Sequence, residues 1–413
     1  MQKKILKSYA HLIAKMGANI KKGDVVKIRA DVDQPEFVAM LTEECYKLGA
    51  SKVMVELSYQ PLSKLHVKYR TLRSLSTVED WEIEKWKYEV DKLPAMIYLI
   101  SEDPDGLRGM NQAKNAKASQ AVYKQIKQFR DAMENKNKWC IAAVPGAKWA
   151  KKMFKGVREA AAIEKLWKAI LYTSRVIDRD GNPLDPVEEW KKHNANLRAK
   201  CEYLNSIGID YLHYTASNGT DFKVGLMEQS TFCGGDEPTL LGEYFNANIP
   251  SEECYTSPKK GIAEGIVHAS MPLSYRGEII DKFWVRFEGG RVVESHAEVN
   301  DALLTQMLSM DEGASYLGEC ALVPYDSPIC QSGLLFYETL FDENASCHLA
   351  LGAGYTNTVR DYGNYTLEEC REMGINDSMI HVDFMIGTKD LDITAETFDG
   401  KTIQIFKNGN WAF

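Results

Sequence analysis

Short runs of β-branched and aliphatic residues alternate with amphipathic stretches through the first half of this chain. Val25–Arg29, Lys52–Leu57, Met96–Ile100 and Trp139–Val144 have strand composition. Between them, Pro35–Leu48, Leu62–Leu75, Trp81–Tyr88, Ala116–Asn135 and Gly156–Thr173 carry apolar residues at helical spacing. Strands separated by helices predict a mostly parallel sheet flanked by helices, an α/β arrangement. A G-x-G-x-x-G turn does not follow the first strand, so this sheet reads as a scaffold and not as a dinucleotide site.

From Tyr211 the pattern changes to paired strands around tight turns. Asn218-Gly219, Gly289-Gly290 and Asn408-Gly409 each sit between two strand-like runs, and these dipeptides supply the positive φ angles that hairpins need. The second half is therefore expected to be an antiparallel α+β domain. The turn cluster at Asp178–Pro183 and the polar helix that runs on to Asn205 read as the connection, giving domains at residues 1–200 and 201–413. A chain of 413 residues is long enough for two cores.

Charge sharpens that division. Residues 1–200 hold 38 Lys and Arg against 25 Asp and Glu, and residues 201–413 hold 12 against 33, so a net charge of -8 conceals halves of +13 and -21. The basic residues are interspersed with acidic ones along amphipathic helices, without a nucleic-acid-binding motif, and read as a solvated face; no nucleic-acid partner is expected. No apolar run approaches the ~20 residues of a membrane helix, and the Lys-rich N-terminus lacks a secretory h-region. Nine cysteines without C-x-x-C spacing read as reduced packing residues, which with the missing leader points to the cytoplasm and away from membranes.

The acidic half also holds oxygen and nitrogen donors of the kinds divalent cations select. In Ile380–Ile386, the two-residue spacing of a strand turns His381 and Asp383 to one face, where Asp383 could ligate a cation or orient the histidine. His348 lies among small apolar residues, five positions after Glu343, so its ring nitrogens need buried partners or a metal. Glu319 interrupts the apolar strand Tyr316–Val323, and an unpaired buried carboxylate costs several kcal/mol. Glu253, on an irregular segment before Pro258, reads by itself as an exposed loop residue.

Several blocks together resemble the thermophilic-type aminopeptidases of the M29 metallopeptidase family, which includes aminopeptidases T and S. They are Asn248-Ile249-Pro250-Ser251-Glu252-Glu253 with Thr256-Ser257-Pro258, Gly318-Glu319, Glu343 to His348 with Gly352 and Tyr355, and His381-Val382-Asp383-Phe384-Met385. Gly17–Asp24 and Gly49-Ala50 resemble that family's opening segment, so the likeness spans nearly the whole chain. It implies two divalent metal ions per chain (zinc, cobalt or manganese), held by Glu253, Glu319, Glu343, His348, His381 and Asp383. It also implies a homodimer, with the N-terminal domain helping to enclose an internal chamber and serving in assembly.

Such a metal pair would share a water, lower its pKa and direct it at a peptide carbonyl, releasing amino acids from peptides with a free N-terminus. Glu319, in its buried strand, is the expected bridging carboxylate, Tyr355 the expected hydrogen-bond donor to the developing oxyanion, and Glu252 a candidate general base. A metal-dependent amidase acting on non-peptide amides would use the same donors, and a noncatalytic metal-binding scaffold would lack turnover. The preferred N-terminal residue is not written in any local motif.

Overall fold

The computed structural model describes the whole chain, Met1–Phe413. The chain forms two compact units, residues 1–193 with 236–250, and residues 194–235 with 251–413.

The first unit is built on a parallel sheet. Its strands, β1 (Val25–Asp31), β2 (Lys52–Ser58), β3 (Ala95–Ile100), β4 (Trp139–Ala143) and the short β5 (Asn248–Ile249), lie in the order β2-β1-β3-β4-β5. Every neighbouring pair is parallel, as strands joined through helices must be. β1 and β3 are largely buried, as their near-continuous apolar sequence requires, whereas β2 is an edge strand whose Val55 and Leu57 stay exposed. Pro35 opens the helix Pro35–Lys47, where its missing N–H costs nothing.

One difference from the sequence reading has a local cause. The expected helix from Leu62 to Leu75 is two helices, Gln60–Tyr69 and Leu72–Ser76, because Arg70 turns to extended backbone and the Thr71 side chain caps the second. A helix at Ala147–Met153 was not anticipated from the pattern. The division also differs from a single cut at residue 200. The boundary falls within the helix Pro186–Ser206, and segment 236–250 rejoins the first unit by pairing β5 with β4.

The second unit contains two antiparallel sheets. The larger runs Leu273–Tyr275, Glu278–Glu288, Ala263–His268, Asp221–Gly225, Ile209–Thr215, Asp392–Thr397, Thr402–Lys407 and Asn410–Trp411, with Arg291–Val299 paired to Glu278–Glu288. All three anticipated hairpins lie in it. At Asn408-Gly409 both residues adopt positive φ, +50° and +74°.

The smaller sheet orders β6 (Cys254–Thr256), β7 (Leu317–Leu322), β8 (His348–Gly352) and β9 (His381–Met385). β7 and β8 are buried along their whole length, so a charged side chain on either has no access to bulk water. Gly352 is required here: its φ is +112°, and a Cβ would collide with the Ile380 carbonyl. Gly318 likewise lies too close to the Ala353 carbonyl to carry a side chain.

Candidate metal centre

The small sheet gathers charged donors from separate stretches of sequence. Register places Ala321 opposite His348 and Gly352 opposite His381, and Glu253 lies immediately before β6, which pairs with β7. His381 and Asp383, two residues apart on β9, fall on one face as strand geometry dictates. Two overlapping groups result, Glu253 with Glu319 and His348, and Glu319 with His381 and Asp383; within each, the donor atoms lie within 4.8 Å of one another. Glu319 belongs to both.

Glu253 is 7% exposed and not on an open loop, which corrects the reading of that residue taken by itself. Glu343, in the short turn Glu343–Ala345, is buried too, but lies outside both groups. Its surroundings nevertheless tie it to them. Burial, then the charges of Asp383, Glu253 and Glu319, hold its pKa well above the usual carboxylate range.

Both histidines are oriented alike. Nδ1 of His381 donates to the Ala353 carbonyl at 2.7 Å, and Nδ1 of His348 to the Ser346 carbonyl at 3.2 Å. Since a carbonyl only accepts, Nδ1 carries the proton in each ring and Nε2 is left for the pocket. Nε2 of His348 faces Glu253 Oε2 at 3.2 Å. Nε2 of His381 faces Glu319 Oε2 at 3.0 Å, Asp383 Oδ1 at 3.1 Å and the Tyr355 hydroxyl at 3.1 Å.

A neutral imidazole would aim its lone pair at carboxylate lone pairs in a dry pocket. A proton relieves that, on the ring or on a facing carboxyl, and so does a cation between the groups. Without a cation the protons must serve. Burial disfavours the His348 cation, yet the hydrogen bond and charge of Glu253 hold its pKa up at about 9. For His381, burial is outweighed by Asp383 and Glu319, and its pKa stands well above the usual value. Burial would raise the Asp383 pKa, but the His381 charge overrides it and the net shift is downward. Glu319 stays raised, because burial exceeds the pull of His381 and the charges of Glu253 and Asp383 add to it.

Two further observations fit a cation. Asp383 Oδ1 is fully buried, with His381 Nε2 at 3.1 Å but no well-directed hydrogen bond to satisfy it. The donors are carboxylate oxygens and imidazole nitrogens, the set that suits zinc, cobalt and manganese, while the thiols of neighbouring Cys320 and Cys347 are pushed above their ordinary pKa by burial.

Of the other residues singled out from the sequence, Tyr355 reaches the group through His381, and its ring meets that of Tyr255 edge-on at 5.6 Å between centroids. Glu252 is 6% exposed, and its backbone N–H donates to Asn344 Oδ1 at 2.7 Å. Its carboxylate belongs to neither group. Asn344 itself was not singled out; an Asn in a polar turn gives no signal until the fold places it.

A family model described as thermophilic metalloprotease (M29) matches residues 2–411. The chain belongs to that family. This M29 chain is 38% identical over 409 residues to aminopeptidase AmpS of Bacillus subtilis (strain 168), which covers 99% of this chain and 98% of that protein. It is 35% identical over 407 residues to aminopeptidase T of Thermus aquaticus, covering 98% of each. The solved structure of wild-type AmpT from Thermus thermophilus matches over 100% of both chains with a TM-score of 0.88 at 33% identity. A 2,5-dihydroxypyridine dioxygenase from Pseudomonas putida KT2440 matches 99% of this chain and 96% of its own with a TM-score of 0.52 at 11% identity, a likeness of fold alone. Like its M29 relatives, the chain is a metal-dependent aminopeptidase, an exopeptidase that hydrolyses peptides from the N-terminus. Those relatives remove the reading as a noncatalytic scaffold.

Proposed function

We propose that the reaction takes place at a dinuclear site in the second unit, with Glu253, Glu319, Glu343, His348, His381 and Asp383 as ligands and Glu319 shared between two divalent cations. The observation that carries this reading is the double membership of Glu319 in the two donor groups. Charge supports the number two: with both histidines neutral, the carboxylates of Glu253, Glu319, Glu343 and Asp383 leave four negative charges in a buried pocket, which two divalent cations neutralise. Zinc, cobalt and manganese all suit these donors.

Bound cations supply Lewis acidity, acidifying water and polarising the scissile carbonyl. The chain's own residues do the rest. Tyr355 is the donor to the developing oxyanion. Burial and the surrounding carboxylates keep its phenol protonated, so it offers a hydrogen bond without bringing a charge. Glu252, next to Glu253, is the candidate general base, its main chain held by Asn344. Selection for a free N-terminus follows if a cation, or a carboxylate not taken up in holding one, receives the substrate's α-amine, since a blocked terminus has no such group to offer.

The assembly proposed is a homodimer, supported by the first unit, where Leu57 on the edge strand β2 and Tyr59, Leu65, Tyr69 and Trp81 in the segments that follow it in sequence stand between 47% and 72% exposed. All nine cysteines are free, in keeping with a cytoplasmic protein, and no helix is long and apolar enough to cross a membrane.

The test is an activity screen on unblocked aminoacyl amides and dipeptides against N-acetylated counterparts, before and after chelation and with zinc, cobalt or manganese added back. Metal-dependent cleavage of the unblocked set alone is expected. Equal cleavage of acetylated substrates would point instead to an amidase.

A further inference from the structure

Asn344 has no exposed surface, and its side chain makes three directed bonds. Oδ1 accepts the Glu252 N–H at 2.7 Å, and Nδ2 donates to the Leu340 carbonyl at 2.9 Å and to Glu343 Oε1 at 3.3 Å. One amide thus ties the strand-free segment that carries Glu252 and Glu253 to the turn that carries Glu343, positions 92 residues apart at the point of contact. The turn is itself pinned. Ser327 Oγ lies 3.2 Å from the Asn344 carbonyl and 3.3 Å from that of Ala345, and accepts the Cys330 N–H at 3.1 Å.

The residue type is specified by this arrangement. Only a primary amide offers an acceptor to Glu252 and donors to Leu340 and Glu343 together; an Asp would set a second carboxylate against Glu343, and rotating the amide would break all three bonds. Holding Glu343 by Oε1 also fixes the direction of Oε2.

We propose that Asn344 is a positioning residue for the cation site, aligning the Glu343 carboxylate and the Glu253 segment before a cation binds. This rests on the reading of Glu253 and Glu343 as ligands. An outer partner of a metal ligand contributes roughly 10–100-fold in affinity. A merely structural asparagine would destabilise metal-free and metal-loaded protein alike.

Cobalt(II) titration of chelator-treated full-length protein, followed by its visible absorption, separates the possibilities across wild type, Asn344→Ala, Ser327→Ala and Glu343→Gln. Asn344→Ala is expected to weaken cobalt binding by about 10–100-fold and change the band intensities, and to narrow the rise in Tm that cobalt produces. Ser327→Ala, which leaves the amide in place but loosens the turn beneath it, is expected to weaken binding by a few fold, and decides the matter if Asn344→Ala does not fold. Wild-type affinity and spectrum in Asn344→Ala, or in Ser327→Ala where only that variant folds, would overturn the positioning role while loss of affinity in Glu343→Gln still upheld the ligand reading. If Glu343→Gln binds as wild type does, the ligand reading fails first and the positioning role with it.

Discussion

Replacing Glu319 by Gln removes one charge and keeps the shape of the side chain, at the position shared by both donor groups. In metal-free protein two effects oppose each other. The variant loses the charge pair with His381, whose Nε2 lies 3.0 Å from Oε2, but it also removes repulsion from Glu253 and Asp383. The net change in metal-free stability is therefore small. In cation-loaded protein nothing compensates. Even outer partners of metal ligands contribute roughly 10–100-fold in affinity, so losing Glu319, if it is the shared ligand proposed, costs at least that. With cation in excess this is a loss of about 1.4–2.7 kcal/mol of the stabilisation that binding confers. For a unit of this size, about 2–4 °C per kcal/mol, the cation-induced rise in Tm should shrink by about 3–11 °C. The assay is thermal unfolding of wild type and Glu319→Gln, each in chelator and in a fixed excess of zinc. Parallel drops in both conditions, or an undiminished zinc-induced rise in the variant, would refute the reasoning.

Tyr355→Phe keeps the ring contact with Tyr255 and deletes only the hydroxyl beside His381; kcat should fall by about 10²–10³-fold with KM little changed, whereas a fall in metal content would point to a structural role. His348 has its pKa raised from 6.5 to about 9, so its contribution to metal-free stability is complete below about 6.5 and is lost as pH rises through about 9. Metal-free protein should accordingly lose Tm across that window while zinc-loaded protein, whose His348 is already neutral, should not; parallel curves would contradict this. Cation binding should also release protons near pH 7, measurable by calorimetry in buffers of different ionisation enthalpy. Disrupting the exposed apolar surface with Leu65→Asp should shift the mass in solution toward monomer, and an unchanged mass would remove that surface from the proposed interface.

Much of the fold was legible because its signals are local. Strands β1 to β4 of the first unit are compact apolar runs between helical stretches, and each anticipated hairpin carries its own turn chemistry. The return of segment 236–250 to the first unit was not legible, since it depends on β5, two residues long, finding β4. The break at Arg70 is a matter of one residue's ψ and the Thr71 cap. At the site, His381 and Asp383 could be placed together from strand periodicity alone. That Glu253 is buried and adjoins His348 could not, because it follows from the pairing of β6 with β7 and from contacts distant in sequence. Asn344 was silent for the same reason: its meaning lies in Glu252, 92 positions away.

The central claim is that two cations flank Glu319. A crystal structure of zinc-loaded protein, with anomalous difference maps from data collected on either side of the zinc edge, tests it most directly. Two peaks are predicted, one beside Glu253 and His348 and one beside His381 and Asp383, both within bonding distance of Glu319. A single peak, or peaks away from Glu319, would contradict the account.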